Sequence, residues 1–269
     1  MNLISSLTSI GVLLAGMALL SLVEALIPLQ ARGRLGLAHL GPNLTLTLIT
    51  FATSLVFNVP LVLGLVWLQA HGLGLLNVVA LPQSAALLAT VIVLDLAWYV
   101  THVTLHVTPA LWRFHSVHHS DPAVDVTTTI RQHPGESLIR YLFLAAFAFS
   151  LGAPPAGFAL YRIWSALHGE LEHSNLRLPQ WLDAAISALF TSPGMHKVHH
   201  ARDRSLHDRN YGNIFSIWDR LFGTFIPARM GGDIDYGLEG LDAPELQTAA
   251  GLLALPFRKP KAVTASPAA

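Results

Sequence analysis

The chain of 269 residues contains no cysteine. Disulfides, thiolate zinc sites and iron–sulfur clusters are thereby excluded, and any bound metal must be held by histidine or carboxylate. Charge is scarce too. Asp, Glu, Lys and Arg make up 12% of the residues, about half the share usual in a soluble domain. The 16 basic and 16 acidic residues cancel, so nothing points to a nucleic-acid partner. The start, Met1-Asn2-Leu3-Ile4, lacks the positive n-region of a secretory signal.

What is plentiful is apolar. Hydrophobic residues reach 52% and the mean hydropathy is +0.51, which places the chain in the membrane class. Apolar runs extend from about Leu3 to Leu29, Leu44 to Ala70 and Ser84 to Val107. Each is long enough for a bilayer that needs about 20 residues. A fourth run, Leu138 to Leu167, is divided by Pro154-Pro155. Two prolines break a helix, so this run reads as a hairpin whose halves are too short to cross upright. Arg32 and Arg34 follow the first run, and Arg113, Arg131, Lys197, Arg202, Arg204 and Arg209 follow the third, while the connection 71–83 carries no charge. By the positive-inside rule the N-terminus lies outside and the later polar region faces the cytoplasm. The expected fold is all-α. It is an integral membrane helical bundle of about four membrane segments, three spans plus a helical hairpin, with a cytoplasmic helical cap. Residues 1–83 form N-terminal transmembrane helices, 84–230 a catalytic region and 231–269 a tail, disordered from Lys259.

Histidine is the other excess, with 14 copies. His102 and His106 are four apart, which puts them on one helix face. His115, His118 and His119 form a His-x-x-His-His unit, and His196, His199 and His200 repeat it. At this histidine content roughly 0.04 such units are expected by chance. Imidazole suits iron, zinc, copper and nickel, and eight clustered histidines exceed one coordination sphere, so two ions are indicated. His168 and His173 stand about 140° apart on a continuous helix, and of the two His173 is the better ligand candidate. His133 is open between ligand, donor to a ligand and helix cap. His39 and His71 read as interfacial or loop residues and His207 as a surface residue of the cap. Asp95 lies seven residues before His102 on the same stripe, where a carboxylate could orient a ligating histidine.

These residues resemble a known family. Trp112-Arg113-Phe114-His115-Ser116-Val117-His118-His119, the stretch from Glu172 to Pro179, and Met195 to Phe225 with its Asn210-Tyr211-Gly212-Asn213 are similar to motifs of the fatty acid hydroxylase and sterol desaturase superfamily. The resemblance implies a non-haem pair of iron ions that uses O2 and two electrons to hydroxylate a C–H bond of a lipid within the membrane. It implies one ion at His102, His115, His118, His196 and His199. The second would be held by His106, His119, His173 and His200, with His168 a further candidate. Zinc could substitute for iron. No Gly-x-Gly-x-x-Gly follows a strand pattern and no cytochrome b5 domain is seen, so electrons are expected from a separate electron-transfer protein. Desaturation of a lipid or sterol is the alternative within the family. A non-enzymatic, His-rich metal-binding membrane protein and a bis-histidine haem protein are the readings outside it. Transporters place ionisable groups at midplane on broken helices, whereas these histidines fall at helix ends and in polar segments.

Overall fold

The computed structural model describes residues 3–30, 38–79, 81–228 and 234–258. The expectations for Arg32, Arg34 and the tail from Lys259 lie outside them. The architecture is helical, and among the described residues only isolated β-bridges occur. Helix α1 spans Leu3–Leu26, α2 Leu40–Ala70 and α3 Gln83–Val107. Helix α2 starts four residues before the apolar run does. Pro42 falls in its first turn, where backbone N–H groups have no intrahelical partner to lose. Thr108 precedes Pro109, and a residue before proline is pushed out of the helical region. Thr108 is accordingly extended, at φ −101° and ψ 107°, and the chain turns there into α4 (Pro109–His119).

The expected hairpin is present as α5 (Pro134–Leu151) and α6 (Pro155–His173), joined through Gly152 in the left-handed region. Its halves are 18 and 19 residues long, about 27–28 Å at 1.5 Å per residue. They are longer than expected because Glu136 and the stretch from His168 to His173 are helical yet polar. The hairpin tip reaches the loop after α2, at the end opposite the histidines. Asn77 Nδ2 donates to Gly152 O at 3.4 Å. Gly74 and Gly152 meet so closely that a Cβ on Gly74 would lie 2.3 Å from Gly152 Cα.

The core sits between α2, α3, α5 and α6, around Leu65, Leu94, Leu144, Ala148, Phe158 and Tyr161. The outside is also apolar: Leu19, Leu48, Val56 and Leu63 are 63–68% exposed. Contiguous apolar surface on this scale marks contact with lipid or another apolar partner. The stretch Leu40–Val78 and helix Gln83–Val107 are long and apolar enough to cross a membrane. Helix α1 is tied down at its end by Glu24, whose Oε1 accepts from Val126 N at 2.9 Å and Asn175 N at 2.7 Å. Three further helices, α7 (Gln180–Ser187), α8 (Pro193–His199) and α9 (Ile217–Phe222), cover the histidine end.

Candidate metal centre

Nine histidines converge from α3, α4, α6 and α8, and all are buried. They divide into two groups whose ring nitrogens lie within 4.8 Å of one another: His102, His106, His115, His119 and His199, and then His118, His173, His196 and His200. This division differs from the one the family resemblance implied. The cause is helix geometry. Residues i and i+4 are offset by about 40° and share a face, whereas i+3 falls about 60° to the other side. Each His-x-x-His-His unit therefore sends its first and last rings to one group and its middle ring to the other. His115 and His119 go to the first group and His118 to the second. His196 and His200 go to the second and His199 to the first.

The outer ring nitrogens are held by fixed acceptors. His102 Nδ1 donates to Tyr211 O at 2.8 Å, His199 Nδ1 to Arg209 O at 2.7 Å and His173 Nδ1 to Gly169 O at 2.7 Å. Carboxylates serve two more: His115 Nδ1 donates to Glu136 Oε1 at 2.9 Å and His106 Nδ1 to Asp208 Oδ1 at 3.1 Å. A proton on Nδ1 leaves Nε2 as a bare lone pair. His173 Nε2 stands 3.0 Å from His196 Nε2 and 3.1 Å from His118 Nε2, two rings whose Nδ1 atoms have no hydrogen-bond partner. Yet His102 Nε2 faces His115 Nε2 at 3.0 Å with both Nδ1 atoms committed as donors. Opposed lone pairs at that distance repel unless a cation lies between them. Nε2 of His106 and His199 and both nitrogens of His119 and His200 also have no hydrogen-bond partner. The donor set fits metal ions. Burial, joined by the neighbouring imidazoles, holds His115, His118, His119, His196, His199 and His200 well below the usual histidine range. They are neutral at pH 7, the form that ligates metal.

The remaining candidates stand apart. His168 faces away, as its angle to His173 requires, and bonds Thr191 O at 2.9 Å. His133 is the cap of α5: its Nδ1 accepts from Gly135 N at 2.9 Å. Asp95 touches no ligand candidate. Its carboxylate accepts from Ile214 N at 3.0 Å, Phe215 N at 3.1 Å and Trp218 Nε1 at 2.9 Å. It fixes the loop following Tyr211 rather than a histidine, because that loop packs between α3 and the site. Asp219 holds the same loop through Tyr211 N and Gly212 N, both at 2.8 Å. His207 stacks on Trp112, and its neighbour Asp208 holds His106. His39 is buried at the N-terminal cap of α2, with Nδ1 donating to Asp121 Oδ1 at 2.9 Å. Burial pulls its pKa down, but Asp121 and Asp125 outweigh burial and raise it to about 9. The sequence reading missed Glu136, Asp208 and Asp219. Glu136 lies four residues before Arg140, whose Nε donates to it at 2.7 Å, and that acid–base pair at helical spacing across the start of an apolar run was the available signal.

A cavity of about 370 Å³ opens beside the histidines. His102, His118, His173 and His196 line one end, and Leu13, Phe51, Leu55, Val62, Leu144 and Phe158 line the remainder. The volume lies in the range of small-ligand sites.

The model of the fatty acid hydroxylase family matches residues 87–224. Among curated proteins, the alkylglycerol monooxygenase of Xenopus tropicalis is 33% identical over 142 residues, 50% of this chain and 29% of the relative. The ornithine lipid hydroxylase of Rhizobium tropici is 28% identical over 159 residues, 59% of this chain and 47% of the relative. A cholesterol 25-hydroxylase-like protein of Danio rerio is 30% identical over 141 residues, 51% of this chain and 54% of the relative. The matched region thus spans from under a third to about half of these relatives. No solved structure matches the chain.

Proposed function

The chain belongs to the fatty acid hydroxylase family, and from that premise we propose that it is a membrane-embedded lipid hydroxylase with two iron ions. The observation that carries this reading is the convergence of nine buried histidines in two groups, with the lone pairs of His102 and His115 opposed at 3.0 Å, beside an apolar cavity. The names of the relatives support oxygen insertion into a lipid. Helices α1, α2 and α3 are the spans and α5–α6 the hairpin, with the histidine end at the cytoplasmic face. Residues 1–83 are the membrane anchor, 84–230 the catalytic region and 231–269 the tail.

His102, His106, His115, His119 and His199 would hold one iron and His118, His173, His196 and His200 the other, with zinc able to take the same positions. When bound, the pair supplies the redox chemistry that activates O2 with two electrons from a separate protein. The chain's own part is geometric. Glu136 and Asp208 hold the rings of His115 and His106 with Nε2 inward. The loop pinned by Asp95 and Asp219 presents Tyr211 O to His102. The apolar cavity wall excludes water and lays an acyl or alkyl chain beside His102 and His118. The test is incubation of the iron-loaded protein with lipid, reductant and oxygen-18 gas. A product carrying one oxygen-18 atom is expected. A double bond with no label would instead assign desaturation.

A further inference from the structure

The nine histidines are enclosed, so an ion needs a route to them. The cavity is a poor one. Its wall is largely apolar, and among the residues lining it one acid, Glu172, is set against the two cations Arg140 and Arg162. A divalent cation would lose its water there and meet like charge. Behind the rings stand two carboxylates. Glu136 is fully buried, whereas the side chain of Asp208 is 36% exposed. His207 lies beside it: its Nδ1 donates to Ala201 O at 3.2 Å and its Nε2 stands 3.7 Å from Asp208 Oδ1. Two ligands of one tetrahedral ion stand roughly 3.4 Å apart when the bonds are about 2.1 Å. The same Asp208 oxygen accepts from His106 Nδ1 at 3.1 Å. His106, His207 and Asp208 offer ligand atoms within 4.8 Å of one another, a third group that shares His106 with the first. The His207 ring stacks on Trp112 and lies 5.9 Å from the His106 ring and 5.7 Å from that of His119. On the outer side, Arg204 Nε donates to Asp208 Oδ2 at 3.2 Å, and its side chain is 79% exposed.

Resting on the two-metal reading above, we propose that Asp208 and His207 form a loading station, which takes a divalent transition-metal cation from solvent and passes it by way of His106 to the first histidine group. Asp208 supplies an oxygen and a negative charge where water still reaches. His207 adds a nitrogen of the kind the centre itself uses, and imidazole favours transition metals over Mg2+ and Ca2+. An isolated charge in a protein interior is very costly. Exchange from His207 and Asp208 to His106 and His119 avoids that, because the next ring is always within about 6 Å. Arg204 is the counter-ion that an arriving cation displaces from Asp208, and its exposure lets it swing out into water. The station sets how fast the centre fills, not how many ions it holds.

The test is the rate of iron uptake by the metal-free full chain in nanodiscs. Fe(II) is added anaerobically, and protein-bound iron is measured after desalting at successive times and at equilibrium. His207→Phe keeps a ring against Trp112 and removes both nitrogens. It is expected to fill about tenfold more slowly, the low end of the cost of losing a group that supports a metal ligand, and to reach the wild-type iron content. Arg204→Ala, a surface change, uncovers Asp208 and is expected to speed filling about threefold, the scale of an exposed ion pair. Arg177→Ala is the control. That exposed cation is held by Leu29 O rather than by a carboxylate, and its loss is expected to leave the rate unchanged. Filling of His207→Phe at the wild-type rate, or of Arg204→Ala no faster than Arg177→Ala, would overturn the proposal. Less iron at equilibrium in His207→Phe would also overturn it, by making His207 a ligand of the centre itself. Wild-type protein that takes up no iron would sink the two-metal reading and the station together. Wild-type protein that takes up about two irons, with every variant filling alike, would sink the station alone.

Discussion

At the residue scale the histidines divide by their offset along a turn, and their outer hydrogen bonds fix which nitrogen faces inward. Carboxylates behind ligating histidines typically contribute 10–100-fold to metal affinity. Glu136→Ala is therefore expected to weaken iron binding by about that factor, as read by competition with a chelator. Unchanged affinity would remove Glu136 from the role given it. His133→Ala tests the opposite assignment. Losing a helix cap costs about 1 kcal/mol, so thermal stability is expected to fall while metal content is unchanged. The nine histidines that the structure brings together were named from the sequence, eight by their spacing and His173 with the help of the family resemblance. Their division between two groups was not read there, since the resemblance implied a different one. The partners of Asp95 could not be read there, since they come from residues about 120 positions later in the chain.

At the element scale the three long apolar runs and the proline-divided hairpin were legible, because length and breakers decide both. The hairpin's reach was not. Polar residues at its histidine end disguised helical turns as loop, and the glycine contact at its tip joins segments far apart in sequence. Gly152 has φ +66°, and a Cβ there would lie 2.9 Å from Gly74 Cα and 2.8 Å from Asn77 Nδ2. Gly152→Ala is expected to cost about 1–2 kcal/mol through strain and the forced separation, seen as a lower Tm. An unshifted Tm would mean that the tip does not pack against the α2–α3 loop. Arg131 and Lys197, counted among the basic residues that follow the third apolar run, are fully buried. Arg131 Nη1 donates to Asn43 at 2.8 Å and Nη2 to Gln247 at 2.7 Å, and Lys197 Nζ donates to Val124 O at 2.9 Å.

At the scale of the whole molecule, buried charge joins the start of α2 to the histidine end through His39 and Asp121. Burial tends to raise the Asp121 pKa, but Arg131 and His39 outweigh it and hold the carboxyl well below its usual range. His39 is raised from 6.5 to about 9. A raised histidine contributes stability in full below its unfolded value and loses it as pH rises through the folded one. Stability is therefore expected to fall between about pH 6.5 and 9, by at most about 3 kcal/mol at 1.36 kcal/mol per unit. His39→Gln is expected to flatten that part of the Tm–pH curve. A curve equally steep in the variant would locate the dependence elsewhere.

Two histidine groups, one apolar cavity and an apolar exterior support a single proposal: that the chain holds two iron ions for lipid oxidation. Iron content per chain, measured after anaerobic purification of the wild type and of His118→Ala and His199→Ala, tests it most directly. About two irons in the wild type and a clear loss in each variant are expected. One ion or none in wild-type protein that still oxidises lipid would contradict it.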